Sequence, residues 1–112
     1  MFSSNTSQVS SDATYVEDVF STTLYQGNGS TQTITNGIDL AGKGGLVWMK
    51  SRSAAQGNFL VDSARGIDYT LYSNLTNAQG SGGGNYITAF NSNGFSMGSG
   101  SGINTNGNTY VS

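Results

Sequence analysis

Gly45-Leu46-Val47-Trp48-Met49-Lys50 is the most apolar stretch of the chain and follows the turn-forming run Gly42-Lys43-Gly44-Gly45. An apolar run this short, bounded by glycine, has the length of a buried strand and is too brief for a helix. It predicts a central strand, with the indole of Trp48 packed between two layers.

On the N-terminal side, Tyr15 to Tyr25 places Phe20, Thr22 and Leu24 on one face of a predicted strand and Val19, Thr23 and Tyr25 on the other. Asn28-Gly29, the polar strand Ser30 to Thr35 and Asn36-Gly37 follow. Asn and Gly accept the positive φ of tight hairpin turns, so the pattern is one of short strands and turns.

On the C-terminal side, Phe59-Leu60-Val61-Asp62 and Asp68-Tyr69-Thr70-Leu71-Tyr72-Ser73 read as strands, with Tyr69 and Leu71 opposed to Thr70 and Tyr72. Gly80-Ser81-Gly82-Gly83-Gly84 has no side chains to bury and is expected to be a mobile loop. Tyr86 to Phe90, the turn Asn91-Ser92-Asn93-Gly94 and Phe95-Ser96-Met97 have hairpin spacing, and a loop from Gly98 to Asn108 leads to a last strand at Thr109-Tyr110-Val111-Ser112.

Seven or eight short strands with frequent turns predict an all-β fold, a β-sandwich or jelly roll. No segment carries an apolar stripe at helical spacing, so little helix is expected. The expected core is Phe20, Leu24, Leu46, Trp48, Phe59, Val61, Leu71, Phe90 and Phe95. Residues 1–14 are almost wholly Ser, Thr, Asn and Gln and read as an extended N-terminal arm that orders only against something else, leaving 15–112 as the sandwich domain.

At 112 residues the chain has room for one core, and with 35% hydrophobic residues that core must be thin and aromatic. Only 9% of residues are charged, and disordered chains usually carry far more charge, so an ordered fold with neutral loops is expected. The net charge of -2 and the scattered cations Lys43, Lys50, Arg52 and Arg65 lack the basic cluster that nucleic-acid binding needs. Weak mutual repulsion suits a subunit of an assembly. No apolar run approaches the ~20 residues of a membrane span, and Met1-Phe2-Ser3-Ser4-Asn5 has neither the basic region nor the apolar core of a signal peptide.

The stretch from Val16-Glu17-Asp18-Val19-Phe20 to Asn36-Gly37-Ile38-Asp39-Leu40, then Gly44-Gly45-Leu46-Val47-Trp48-Met49-Lys50, resembles a domain of marine bacteriophage virion proteins, notably tail-fibre-like ones. The similarity continues through Asp62-Ser63-Ala64-Arg65-Gly66, Leu71-Tyr72-Ser73-Asn74 and Phe90-Asn91-Ser92-Asn93-Gly94-Phe95, and spans residues 16–112. The resemblance implies a concanavalin A-like or laminin G-like sandwich on the particle surface or tail, with other virion proteins as partners. It also implies that the Thr109-Tyr110-Val111-Ser112 strand continues, so the sandwich is expected to be incomplete at its C terminus. The missing strands would come from a continuation or from another subunit of a homo-oligomer, a trimer being favoured.

The chain has no histidine and no cysteine, which removes the usual nucleophile and base pairs, disulfides and the usual zinc and haem sites. No enzyme activity and no cofactor are expected. Asp62 and Asp68 lie on adjacent predicted strands, but the clustered carboxylates of a glycosidase are absent. Arg65 could meet a sugar or a partner carboxylate, yet a bridge to Asp62 shaping a turn at Gly66 is favoured. Asp39, Asn36 and Gly37 offer oxygen ligands for Ca2+, with turn capping the stronger reading. Tyr69, Tyr72 and Tyr86 are the candidate stacking platform for a host-surface glycan, weighed against half-buried packing. The two functions expected are a lectin-like tail-fibre or appendage module for host attachment, and a decoration or connector subunit anchored by its arm.

Overall fold

The computed structural model describes residues 13–112. It is mostly β: β1 (Leu24–Gln26), β2 (Gln32–Thr35), β3 (Leu46–Ser51), β4 (Phe59–Asp62), β5 (Tyr69–Tyr72), β6 (Gly80–Ser81), β7 (Ile87–Asn91), β8 (Gly94–Met97) and β9 (Thr109–Val111). Three four-residue helical turns complete it: α1 (Val16–Val19), α2 (Leu40–Lys43) and α3 (Ser101–Asn104). A six-stranded sheet has the order β1-β9-β3-β4-β5-β6 and a three-stranded sheet the order β2-β8-β7. Every pairing is antiparallel. Such an arrangement is compatible with the expected sandwich. The arm expected over 1–14 lies, apart from the exposed Ala13 and Thr14, outside the described residues.

The two sheets share one core. The larger sheet contributes Val47, Met49, Phe59 and Val61, the smaller contributes Ile34, Ile87, Phe95 and Met97, and the connections add Leu40 and Ile103. Burying each Phe side chain contributes about 1.5–3 kcal/mol. The rings of Phe59 and Phe95 are therefore principal anchors, as the sequence predicts, and Val61 is fully buried. Leu71 and Phe90 are half-buried, Phe90 packing on the core from β7.

Five expected core residues lie outside it, among them the half-buried Leu71, which has the opposite parity on β5 to the buried Thr70 and so turns to the outer face. Phe20 is 67% exposed, Leu24 63%, Leu46 59% and Trp48 52%. The strand at Leu46–Ser51 exists, but Val47, Met49 and Ser51 point inward, so the indole faces solvent. Because side chains alternate, a parity error of one residue inverts the whole strand. Both parities here are apolar, so the pattern alone does not choose between them.

The choice is made by β9. Tyr110 is fully buried, stacks on Tyr25 with ring centroids 5.2 Å apart, and stands opposite the small Ser51 of β3. Its hydroxyl accepts a hydrogen bond from the Thr105 amide at 3.0 Å, and the Tyr25 hydroxyl donates to the Ile103 carbonyl at 3.0 Å. With Tyr110 and Ser51 fixed inward, Met49 and Val47 follow and Trp48 must turn out.

The stretch expected to be one strand over 15–25 divides. The Asp18 carboxylate accepts the Tyr15 amide at 2.9 Å and holds Val16–Val19 in a helical turn. Only Leu24–Gln26 joins the sheet, and it pairs with β9. Asn28-Gly29 is accordingly a crossover between sheets, not a hairpin turn, since β2 pairs with β8. The β7–β8 hairpin matches expectation, with Phe90 opposite Phe95 and Asn91 opposite Gly94. Gly80–Ser81, expected within a mobile loop, pairs with Tyr69 and Thr70 as a short edge strand.

Candidate functional site

The tyrosines do not form one platform. Tyr72 stands opposite the buried Phe59 and packs edge-on against it at 5.1 Å, and Tyr86 does the same at 4.9 Å. Burial, followed by the neighbouring Tyr72, pushes the Tyr86 hydroxyl above its ordinary range. Both are packing residues. Tyr69 differs in parity from Tyr72, so it faces outward on the other side of the sheet, 44% exposed.

The polar motifs are spent on turns. Arg65 is ion-paired to Asp62, its backbone amide also donates to Asp62 at 2.8 Å, and Gly66 takes φ 105°. Hydrogen bonding from the Arg65 amide, reinforced by its guanidinium, holds Asp62 below its ordinary range. Asp68 accepts the Gly84 amide at 3.0 Å. Asp39 caps α2 by accepting the Gly42 amide at 2.8 Å, and Asn36 accepts the Ile38 amide at 3.0 Å. Among the described residues no group of three acidic, His or Cys side chains could hold a metal ion, and no helix is long and apolar enough to cross a membrane.

Sequence reasoning missed a polar hub. Asn104 is fully buried on α3; its carbonyl accepts from the Asn28 amide at 2.9 Å and from Gln32 at 3.2 Å. Its amide donates to the Gly98 carbonyl at 2.9 Å, to the Ser30 carbonyl and to the Asn28 side chain. One side chain thus ties the β1–β2 crossover to the loop before β9. Its sequence context, glycine, serine and asparagine, has the composition of a surface loop.

It also missed the outward face of the six-stranded sheet. Trp48 stands beside Leu60, and Leu60 beside Leu71, forming an apolar row across three strands. Leu24 stands beside Val111, and Val111 beside Lys50. Leu46 and Tyr69 share the face by parity.

A groove of about 710 Å³ opens beside β3 and takes in, besides outward-facing residues, the inward-facing Val47 and the buried Leu40. It is lined by Val19, Phe20 and Thr22 from the approach to β1, by Leu46 and Trp48 from β3, and by Val111 at the end of β9. Asp18, Asp39, Lys43 and Lys50 also line it. The only ion pair among the described residues is Asp62–Arg65, so none of these four charges is neutralised by an ion pair, although Asp18, Asp39 and Lys50 each hydrogen-bond a backbone group. A concave, largely apolar surface with a few charges of both signs is suited to binding.

Residues 15–112 match a family described as a Domain of unknown function (DUF7483). No curated protein and no solved structure matches the chain.

Proposed function

Because the chain belongs to that family of domains of unknown function, whose description assigns no activity, we propose its role from its own surface: a non-enzymatic structural module of a bacteriophage virion, part of a tail fibre or other appendage. In this reading the fold is a concanavalin A-like jelly roll, a reading supported by the insertion of β9 between β1 and β3 and by the crossover that carries β2 into the second sheet. A neighbouring virion protein covers the Trp48 face in a homo-oligomeric assembly, a trimer being favoured.

The observation that carries this is the apolar outer face itself. Exposed apolar patches of this kind mark interaction surfaces, and single scattered apolar residues do not. The indole shares its face with Leu46 of its own strand and stands beside Leu60 of the adjacent one, a setting for protein side chains more than for sugar hydroxyls. Unpaired charges of both signs at the groove favour a protein over a polyanion.

A second reading, host attachment through a glycan, is supported by the presence of Trp48 and Tyr69 on one face, although Tyr72 and Tyr86 no longer serve it. The decoration reading depends on the arm, which falls largely outside the described residues.

The test is a Trp48→Glu phage. Particles purified from it should lack the protein by mass spectrometry, while the purified variant keeps the circular dichroism of the parent. Wild-type copy number in the variant particle would sink the assembly reading. Full incorporation with lost host adsorption would favour the glycan.

A further inference from the structure

We infer that Asn106–Gly107 is a site of spontaneous deamidation, the Asn-Gly step through which the folded chain ages, and that the fold holds the chain's other three such steps closed to the same reaction. The inference is independent of what the domain binds.

The sequence contains Asn28-Gly29, Asn36-Gly37, Asn93-Gly94 and Asn106-Gly107. Asparagine is a thermolabile residue, and a following glycine makes it more so. The glycine nitrogen, unshielded by a side chain, loses its proton and attacks the asparagine Cγ. The Cγ–Nδ2 bond breaks, ammonia leaves and a succinimide ring closes. Water then opens the ring at one carbonyl or the other, giving aspartate or isoaspartate, so no reagent other than water is consumed. The asparagine side chain must turn its Cγ toward the next nitrogen, and the glycine N–H must leave its acceptor. A step held on both counts reacts only in the opened fraction of molecules, and its rate falls with the local opening equilibrium.

Asn28 is held most fully. Its Oδ1 accepts the Ser30 amide at 2.9 Å and Asn104 Nδ2 at 3.2 Å, and its Nδ2 donates to the Thr31 carbonyl at 3.2 Å. The Gly29 amide donates to the Asn104 carbonyl at 2.8 Å. Asn36 Oδ1 accepts the Ile38 amide at 3.0 Å, and the Gly37 amide donates to the Asn93 carbonyl at 3.0 Å. Asn93 is held through its main chain: the same carbonyl also takes the Asn36 amide, and Gly94 is buried where a Cβ would run into the Ile34 carbonyl oxygen. Neither side of that peptide bond has room to turn.

Asn106 and Gly107 form a turn before β9, and both are exposed. A Cβ on Gly107 would meet nothing within 4 Å. The nucleophile is restrained by the bond from the Gly107 amide to the Gly27 carbonyl, at 3.1 Å longer than its counterparts at Gly29 and Gly37. Isoaspartate here would lengthen the main chain by a methylene beside both partners of Gly27, whose own amide donates to the Asn108 carbonyl at 2.8 Å. Ageing thus adds a negative charge and loosens the joint between the end of β1 and the loop that seats β9.

The test holds the full chain at mildly alkaline pH, folded in one sample and unfolded in urea in another, and follows each step by peptide mapping with mass spectrometry. In the folded chain Asn106 should convert at least about tenfold faster than Asn28, Asn36 or Asn93, whereas in urea the rates should agree within about threefold. Faster conversion at any of the other three in the folded chain overturns the inference. So does an unchanged Asn106 over the time in which the unfolded chain reacts completely. Asn104→Ala separates local closure from global stability, because it removes the Asn104 side chain from Asn28 and leaves the contacts of Asn36 in place. Conversion at Asn28 should then quicken relative to Asn36. An equal rise at both would show that global unfolding sets the rates and would overturn the closure of individual steps.

Discussion

The outward faces of the two sheets are built from opposite materials. On the three-stranded sheet Thr33 stands opposite Ser96 and bonds to it at 3.0 Å, Ser96 stands opposite Ala89, and Asn91 donates to the Ser96 hydroxyl at 3.0 Å. Side chains on that face hydrogen-bond to one another. On the six-stranded sheet the corresponding positions are Leu24, Leu46, Trp48, Leu60, Leu71 and Tyr69. An antiparallel sheet with one core face and one solvated face alternates apolar and polar residues, whereas a sheet covered on both faces is apolar throughout. The smaller sheet's outer face is thus polar, and the larger sheet's is rich in apolar side chains, the contrast on which the proposed partner surface rests.

If that contrast is right, the energy of the fold lies between the sheets, and the deepest damage comes from there. Phe95 is fully buried on β8 between Ile34 and Phe90. Phe95→Ala should lower the unfolding free energy by about 3–5 kcal/mol in urea denaturation, the usual result for a large core ring. A loss under about 1 kcal/mol would mean that the two inner faces do not close on each other. Next in size is Asn104→Ala, which strips the Asn28 amide and the Gln32 side chain of their shared acceptor. It also leaves the buried Gly98 carbonyl without its donor, and an unmatched buried group costs about 1–3 kcal/mol, so the urea midpoint should fall accordingly. Because the hub anchors the loop before β9, exchange at the Gly29 amide, which donates to the Asn104 carbonyl at 2.8 Å, should quicken as well.

The sequence revealed elements whose signals are local. The Asn91 to Gly94 turn sets the β7–β8 register within a few residues, and the Asp62–Arg65 turn and the Asp39 cap are each satisfied by atoms three residues away. Features settled by distant partners stayed hidden. The parity of β3 depends on Tyr110 stacking on Tyr25, with Ser51 making room, and nothing within Leu46–Lys50 reports it. Gly80–Ser81 is a strand only because β5 lies beside it. The loop at Ser101–Asn104 is buried because Gly102 lets it approach the Phe59 ring: a Cβ there would stand 2.2 Å from the ring tip. The apolar outer face was missed for the same reason as the parity, since assigning Trp48 to the core erased the surface it belongs to.

The smallest effect is also the sharpest probe of the contrast. Trp48→Thr gives the outer face of β3 the kind of residue that the other sheet already carries. Threonine suits a strand, and the indole is half in water, so the unfolding free energy of the isolated chain should stay within about 0.5 kcal/mol of the parent, as for other surface positions. A loss of 2 kcal/mol or more would show that the chain's own fold already covers the indole, and the contrast between the two outer faces would then be lost. Stability unchanged while incorporation into the proposed virion is lost would separate folding from binding at one residue. The inner face then holds the domain together, and the outer face serves whatever the domain joins.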